Sequence, residues 1–143
     1  MRFKCFCRIG FVTLCLVMLF SGVVCASDGI KWYAYEEGMV LGKAEKKKVY
    51  LHFYADWCGF CGKMNKETFQ NANVISKLND IFISIRVDTD KEMETAVKYG
   101  VRGLPANWFL METGQPIVNI PGFIAPDAML SLLKEVSDVK TDG

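Results

Sequence analysis

Between Val49 and Ala55 the chain runs Val, Tyr, Leu, His, Phe, Tyr, Ala, an almost continuous apolar run that fits a central strand buried on both faces. Ile81 to Val87 is β-branched and alternating, which predicts a second strand, and Lys31 to Tyr35 is a shorter candidate for a first. Asn107 to Met111 and Pro116 to Ile120 read as two strands of a hairpin joined through Thr113-Gly114-Gln115. Helical rhythm is clearest near the end. Pro126 suits a first turn, and Met129, Leu132, Leu133 and Val136 form one apolar stripe. Further helices are predicted over Glu36 to Lys48, Gly59 to Phe69, Asn73 to Leu78 and Asp90 to Tyr99. In the first, Gly38 and Gly42 each cost about 1 kcal/mol relative to alanine, while Lys46, Lys47 and Lys48 suit a helix C-terminus. In the last, Asp90 is the expected N-cap and Gly100 lies just past the end. The order β-α-β-α-β-α-β-β-α, with α-helices between the early strands and a late hairpin, predicts an α/β fold with a central mixed β-sheet flanked by helices.

The first 26 residues follow a different pattern. Arg2, Lys4 and Arg8 precede an uncharged stretch from Ile9 to Ser27, and Val24-Cys25-Ala26 ends it with small residues. A basic start, an apolar middle and a small-residue exit are the parts of a secretory signal, so residues 1–26 are expected to be a signal peptide and 27–143 the folded domain. The uncharged run also approaches the roughly 20 residues of a membrane span, and retention as an N-terminal anchor is the alternative. Lipid attachment at Cys25 is a lesser one, since Val24 is bulkier than the residue such sites prefer. Either way the domain is expected outside the cytoplasm, where disulfides persist; a periplasmic location fits. Without the leader the chain keeps 14 basic and 16 acidic residues, a net charge of −2 with no basic stripe, which argues against a nucleic-acid partner. The remaining length suits a single domain, expected to be monomeric, that needs no staples to fold.

Removing the leader also changes the cysteine count. Of six cysteines, Cys5, Cys7, Cys15 and Cys25 lie in it, leaving only Cys58 and Cys61. Trp57-Cys58-Gly59-Phe60-Cys61 places this C-x-x-C pair between a predicted strand and a predicted helix. A thiol attacks only as its thiolate, and the unpaired N–H groups of a helix N-terminus favour a negative sulfur there. Cys61 would sit one helical turn further in, more shielded and within reach of a disulfide. Cys58 is therefore the expected nucleophile and Cys61 the resolving thiol. Structural zinc requires four ligands, and His52 is the only histidine to add to the two sulfurs. Haem attachment requires His after the second cysteine, where Gly62 stands. A purely structural bridge over so short a loop would constrain the unfolded chain little. No metal or cofactor is expected beyond the redox-active Cys58–Cys61 disulfide.

Tyr54-Ala55-Asp56-Trp57-Cys58-Gly59-Phe60-Cys61 resembles the active-site segment of the thioredoxin superfamily. Lys98-Tyr99-Gly100-Val101-Arg102-Gly103-Leu104-Pro105 resembles the segment that carries its cis-proline, and Gly122 matches a glycine of its last strand. The Tyr-Ala-Asp-Trp-Cys wording, Glu67-Thr68-Phe69 and the leader are most similar to exported members, such as the C-terminal domains of DsbD-type disulfide-interchange reductases. The resemblance implies a thioredoxin-like fold and a thiol:disulfide oxidoreductase, with protein dithiols and disulfides as substrates and a membrane or soluble thiol as electron donor. It implies a reductant role more than an oxidant one. It also implies that Pro105 is cis and that Leu104, beside it, offers its backbone to an extended substrate; an ordinary turn proline is the alternative. Phe60 is expected to be exposed beside the sulfurs, to contact substrate or to tune the helix start, and Trp57 either flanks the groove or packs at its edge. Two positions depart from the family pattern: His52 stands where an aspartate is usual, and Phe60 where a proline is usual. His52 is a candidate for proton transfer from the inner thiol, because imidazole titrates near neutral pH; a core histidine satisfied by a backbone group is the equal alternative.

Overall fold

The computed structural model describes residues 29–140, so the expected signal peptide lies outside the described residues. Ten elements follow in order: β1 Trp32–Tyr33, α1 Tyr35–Glu45, β2 Lys48–Tyr54, α2 Gly59–Glu67, α3 Ala72–Ile81, β3 Phe82–Asp88, α4 Met93–Lys98, β4 Ala106–Leu110, β5 Pro116–Pro121 and α5 Pro126–Asp138. The sheet order is β1-β3-β2-β4-β5. β3 runs parallel to both β1 and β2, whereas β4 is antiparallel to β2 and β5 to β4, which makes the sheet mixed.

The central position of β2 explains its composition. Tyr50 joins Met64, Phe69, Val74, Leu78, Phe109, Met129 and Leu133 in the core beneath α2, α3 and α5. Val49, Leu51 and Phe53 point the other way, into a second core with Tyr35, Ile85, Val87 and Ala96 under α1 and α4. Alternating side chains thus fill both faces, and each fully buried large apolar side chain contributes about 1.5–3 kcal/mol.

Two local expectations are corrected, and the glycines of α1 gain a packing role beside their expected cost. Gly38 and Gly42 are buried in the face of α1 that meets the sheet, where a Cβ on Gly38 would lie 2.3 Å from Ile85 Cγ1 and one on Gly42 2.7 Å from Val49 Cγ2. Their helix-propensity cost is offset by the close approach they permit. The basic run does not end α1 as a block: Lys46 is its left-handed C-cap at φ 54°, and Lys48 already belongs to β2. Lys48 instead donates to the carbonyl of Ser137 at 2.9 Å, which places a cation at the C-terminal end of α5, a helix with no basic residue in its own last turn. Asp90 does not cap α4, which begins at Met93 behind Glu92. Asp88 closes the preceding turn, accepting from the Asp90 N–H with its side chain and from the Lys91 and Glu92 N–H groups with its carbonyl. None of the described helices is long and apolar enough to cross a membrane.

Candidate active site

β2 ends at Tyr54, whose carbonyl is held by the Thr89 N–H at 2.9 Å, and the chain turns so that Cys58 N–H meets the Ala55 carbonyl at 3.1 Å. Cys58 then becomes the N-cap of α2 in an extended conformation, φ −78° and ψ 105°, and its sulfur accepts from the Cys61 N–H at 3.2 Å. The two cysteines form a disulfide. Cys58 is 8% exposed and Cys61 1%, so the outer sulfur lies at the rim and the inner one in the interior. Trp57, just before the pair, and Phe60, between its two cysteines, are 73% and 64% exposed, an unusual state for large aromatic side chains. Trp57 is held by a hydrogen bond from Nε1 to Asp90 at 2.9 Å, which gives Asp90 a place at the site in exchange for the capping role expected of it.

The opposite wall comes from the segment before β4. The Leu104–Pro105 peptide bond is cis, and Leu104 packs with Tyr54 against Ala55, Cys58 and Cys61. Pro105 is anchored from the residue just past β5, its carbonyl accepting from the Gly122 N–H at 2.7 Å, with Gly122 at a positive φ of 84°. Cys58, Cys61, Trp57, Phe60, Leu104 and Pro105 are therefore gathered at one end of the sheet.

His52 lies deeper, fully buried on the α2 side of β2, with its ring near Trp32, Tyr50, Tyr54 and Phe69. Its polar partner is Asn107, not a backbone group. The Asn107 amide nitrogen donates to the carbonyls of Ile120 and Gly122 at 3.1 and 3.0 Å, which leaves its Oδ1 to accept from Tyr50 Oη at 2.7 Å and His52 Nδ1 at 2.9 Å. That pattern assigns the His52 proton to Nδ1 and leaves Nε2 as a buried acceptor without a protein partner. Burial lowers the His52 pKa to about 4, the Asn107 hydrogen bond opposes the shift, and the Arg86 charge adds to it. The imidazole is neutral at pH 7. Tyr54, stacked on the imidazole with ring centroids 6.2 Å apart, also packs against the cysteines and so touches both groups.

Asn107 and Arg86 were not anticipated as site residues, although each carries a signal. Asn107 is the one polar residue in Ala106–Leu110, and Arg86 the one base in Phe82–Asp88. A lone polar group in an apolar strand marks a buried partner.

Comparison with known proteins agrees with this geometry. The Thioredoxin-like domain family matches residues 35–137. The thioredoxin of Borreliella burgdorferi is 35% identical over 85 residues, covering 59% of this chain and 69% of that protein. The thiol:disulfide interchange protein DsbD of Vibrio cholerae is 34% identical over 106 residues, covering 70% of this chain but only 18% of that protein. Against DsbD, then, this chain spans about a fifth of the relative's length. A solution structure of a thioredoxin from Thermus thermophilus superposes with a TM-score of 0.70 at 25% identity, covering 76% of this chain and 88% of the other. With a mixed five-stranded sheet, a cysteine pair at the start of α2 and a family match across most of the described residues, this chain belongs to the thioredoxin superfamily of thiol:disulfide oxidoreductases.

Proposed function

We propose that this protein is an exported reductant of protein disulfides that works by dithiol–disulfide exchange through Cys58 and Cys61, with no cofactor beyond that pair. The observation that carries this reading is the asymmetry of the sulfurs: the outer one caps a helix N-terminus, and the inner one is 1% exposed behind it. In the reduced protein the Cys58 thiolate attacks a substrate disulfide, one substrate sulfur leaves, and a mixed disulfide forms. Cys61 then attacks Cys58 Sγ, the second substrate sulfur leaves with the electron pair and takes up a proton, and the intramolecular disulfide is restored. An extended substrate segment would lie between Trp57 and Phe60 on one side and the backbone of Leu104 and Pro105 on the other. A thiol donor, membrane-bound or soluble, would re-reduce the pair.

Export is supported by the leader pattern, thiol–disulfide exchange by the likeness to the thiol:disulfide interchange protein DsbD, and the reductant direction by the resemblance of the active-site segment to DsbD-type reductases. Catalytic reduction of insulin disulfides, abolished by Cys58→Ser, is the test of the reaction; an inactive wild-type protein with an intact pair would point to a binding module instead. Direction is read from the potential against glutathione. The superfamily spans about −270 to −120 mV, and a value at the oxidising end would overturn the reductant role. Trapping with Cys61→Ala, which stalls the mixed disulfide, identifies the clients. Fractionation with N-terminal sequencing tests export and cleavage, and gel filtration tests the expected monomer.

A further inference from the structure

Arg86 is a cation with no counter-ion among the described residues, held under the helix that carries the cysteines. It stands opposite His52 in the β2–β3 register and on the same face of the sheet. Its guanidinium lies 4.0 Å above the Tyr54 ring and 5.6 Å from that of Trp32, and Nη2 donates to Asn65 Oδ1 on α2 at 3.1 Å. Its Nε–H is buried with no protein partner. Among the described residues, the ion pairs are Lys47–Glu45 and Lys91–Asp88, and no carboxylate pairs with Arg86. Asp88, two residues along the same strand, is the acid on that face and is engaged by Lys91 at 2.8 Å.

Two contacts carry this charge towards the inner sulfur. Asn65 follows Cys61 by four residues in α2, so their side chains are neighbours on one helix face, roughly 5–6 Å apart at Cβ. Tyr54, under the guanidinium, packs against the cysteine cluster. The charge is already felt in the interior, since it acts on both Tyr50 and His52. The titratable groups on this face are Lys48, Tyr50, His52 and Tyr54 from β2 and Asp88 from β3, with Lys48 at the far end of the strand on the Ser137 carbonyl; on α2, Lys63, Lys66 and Glu67 are solvent-exposed. With His52 neutral and Asp88 paired, Arg86 is the unbalanced charge beneath α2.

We propose that Arg86 is a positioning residue for the resolving step, its uncompensated charge stabilising the thiolate of Cys61. Burial disfavours a charged sulfur, yet Cys61 must ionise to attack. The inference rests on Cys61 as the resolving thiol. In that step the Cys61 electron pair forms the bond to Cys58 Sγ, the Cys58–substrate bond breaks, and the departing substrate sulfur takes the proton that Cys61 gave up. The substrate is reduced and the pair oxidised by two electrons.

The test is a pH titration of thiolate absorbance in a Cys58→Ser background, where Cys61 titrates alone. A unit charge about one helical turn away, in a partly buried setting, is worth about one pH unit. Arg86→Met should therefore raise the Cys61 midpoint by about one unit, and Arg86→Lys should recover most of the shift. A rise below roughly half a unit in the folded Met variant, or equal rises in Met and Lys, overturns the proposal. If Arg86→Met does not fold, Asn65→Leu, which releases the guanidinium from α2, takes its place; the midpoint must then rise, and an unchanged one overturns the proposal. Insulin turnover by the wild-type protein judges the proposed function separately. Normal turnover with an unmoved midpoint defeats the role of Arg86 alone.

Discussion

Replacing Asn107 with alanine removes one fully buried amide and strands four groups at once. Tyr50 Oη and His52 Nδ1 lose their acceptor, and the carbonyls of Ile120 and Gly122 lose their donor. A buried polar group left unpaired costs about 1–3 kcal/mol. The carbonyls fall at the low end because each keeps a second lone pair, and the tyrosine hydroxyl can rotate. The two carbonyls and the two stranded donors together then give a loss of about 3–5 kcal/mol. That is a large share of the 5–15 kcal/mol typical of a single domain. Urea denaturation of the oxidised protein is the assay, and with a slope of about 1–3 kcal/mol/M the midpoint should fall by roughly 1–5 M. Asn107→Leu is the control, because it restores volume but strands the same groups. It should lose nearly as much. A loss below about 1 kcal/mol in both variants, with unchanged slope, would refute the view that this amide holds β2, β4 and β5 together.

Further outcomes follow from other contacts. The folded His52 has its pKa lowered to about 4, so between the unfolded value near 6.5 and that pH the unfolded chain binds a proton that the folded one does not. Stability should therefore fall by about 2–4 kcal/mol as pH drops through this window, and His52→Gln should flatten the profile there; matching slopes in the two proteins would count against it. Gly38→Ala gains about 1 kcal/mol in helix propensity but drives a methyl to 2.3 Å from Ile85 Cγ1, an overpacking of about 1–3 kcal/mol, so the melting temperature should drop; a rise would show that α1 moves away without cost. Lys48→Met should cost about 1 kcal/mol by uncapping α5, with the difference shrinking in high salt; a salt-independent loss would assign the effect to packing.

Much of this arrangement is legible along the chain because it depends on near neighbours. Of the stripe Met129, Leu132, Leu133 and Val136, three are buried in α5 and Leu132 is half-buried against the same core. The pair Cys58 and Cys61 spans one turn, so an outer and an inner sulfur follow from the spacing once α2 begins there. Local rules fail where a distant group competes. Asp90 has the composition of an N-cap, but Asp88 closes the turn first and Trp57 claims its carboxylate. Gly38 and Gly42 weaken α1 as an isolated helix and strengthen its contact with the sheet.

The sequence alone determines the cysteine pair, the alternation that buries β2 on both faces and the order of its helices and strands, because each arises from covalent spacing and the periods of 3.6 and 2 residues. Only the tertiary structure decides that β3 lies between β1 and β2. It alone brings Asn107 to His52 across 55 residues and sets Arg86 under α2 with no counter-ion among the described residues. Hydrogen bonds and fields act through space, and no period along the chain encodes which distant residue will occupy the neighbouring strand.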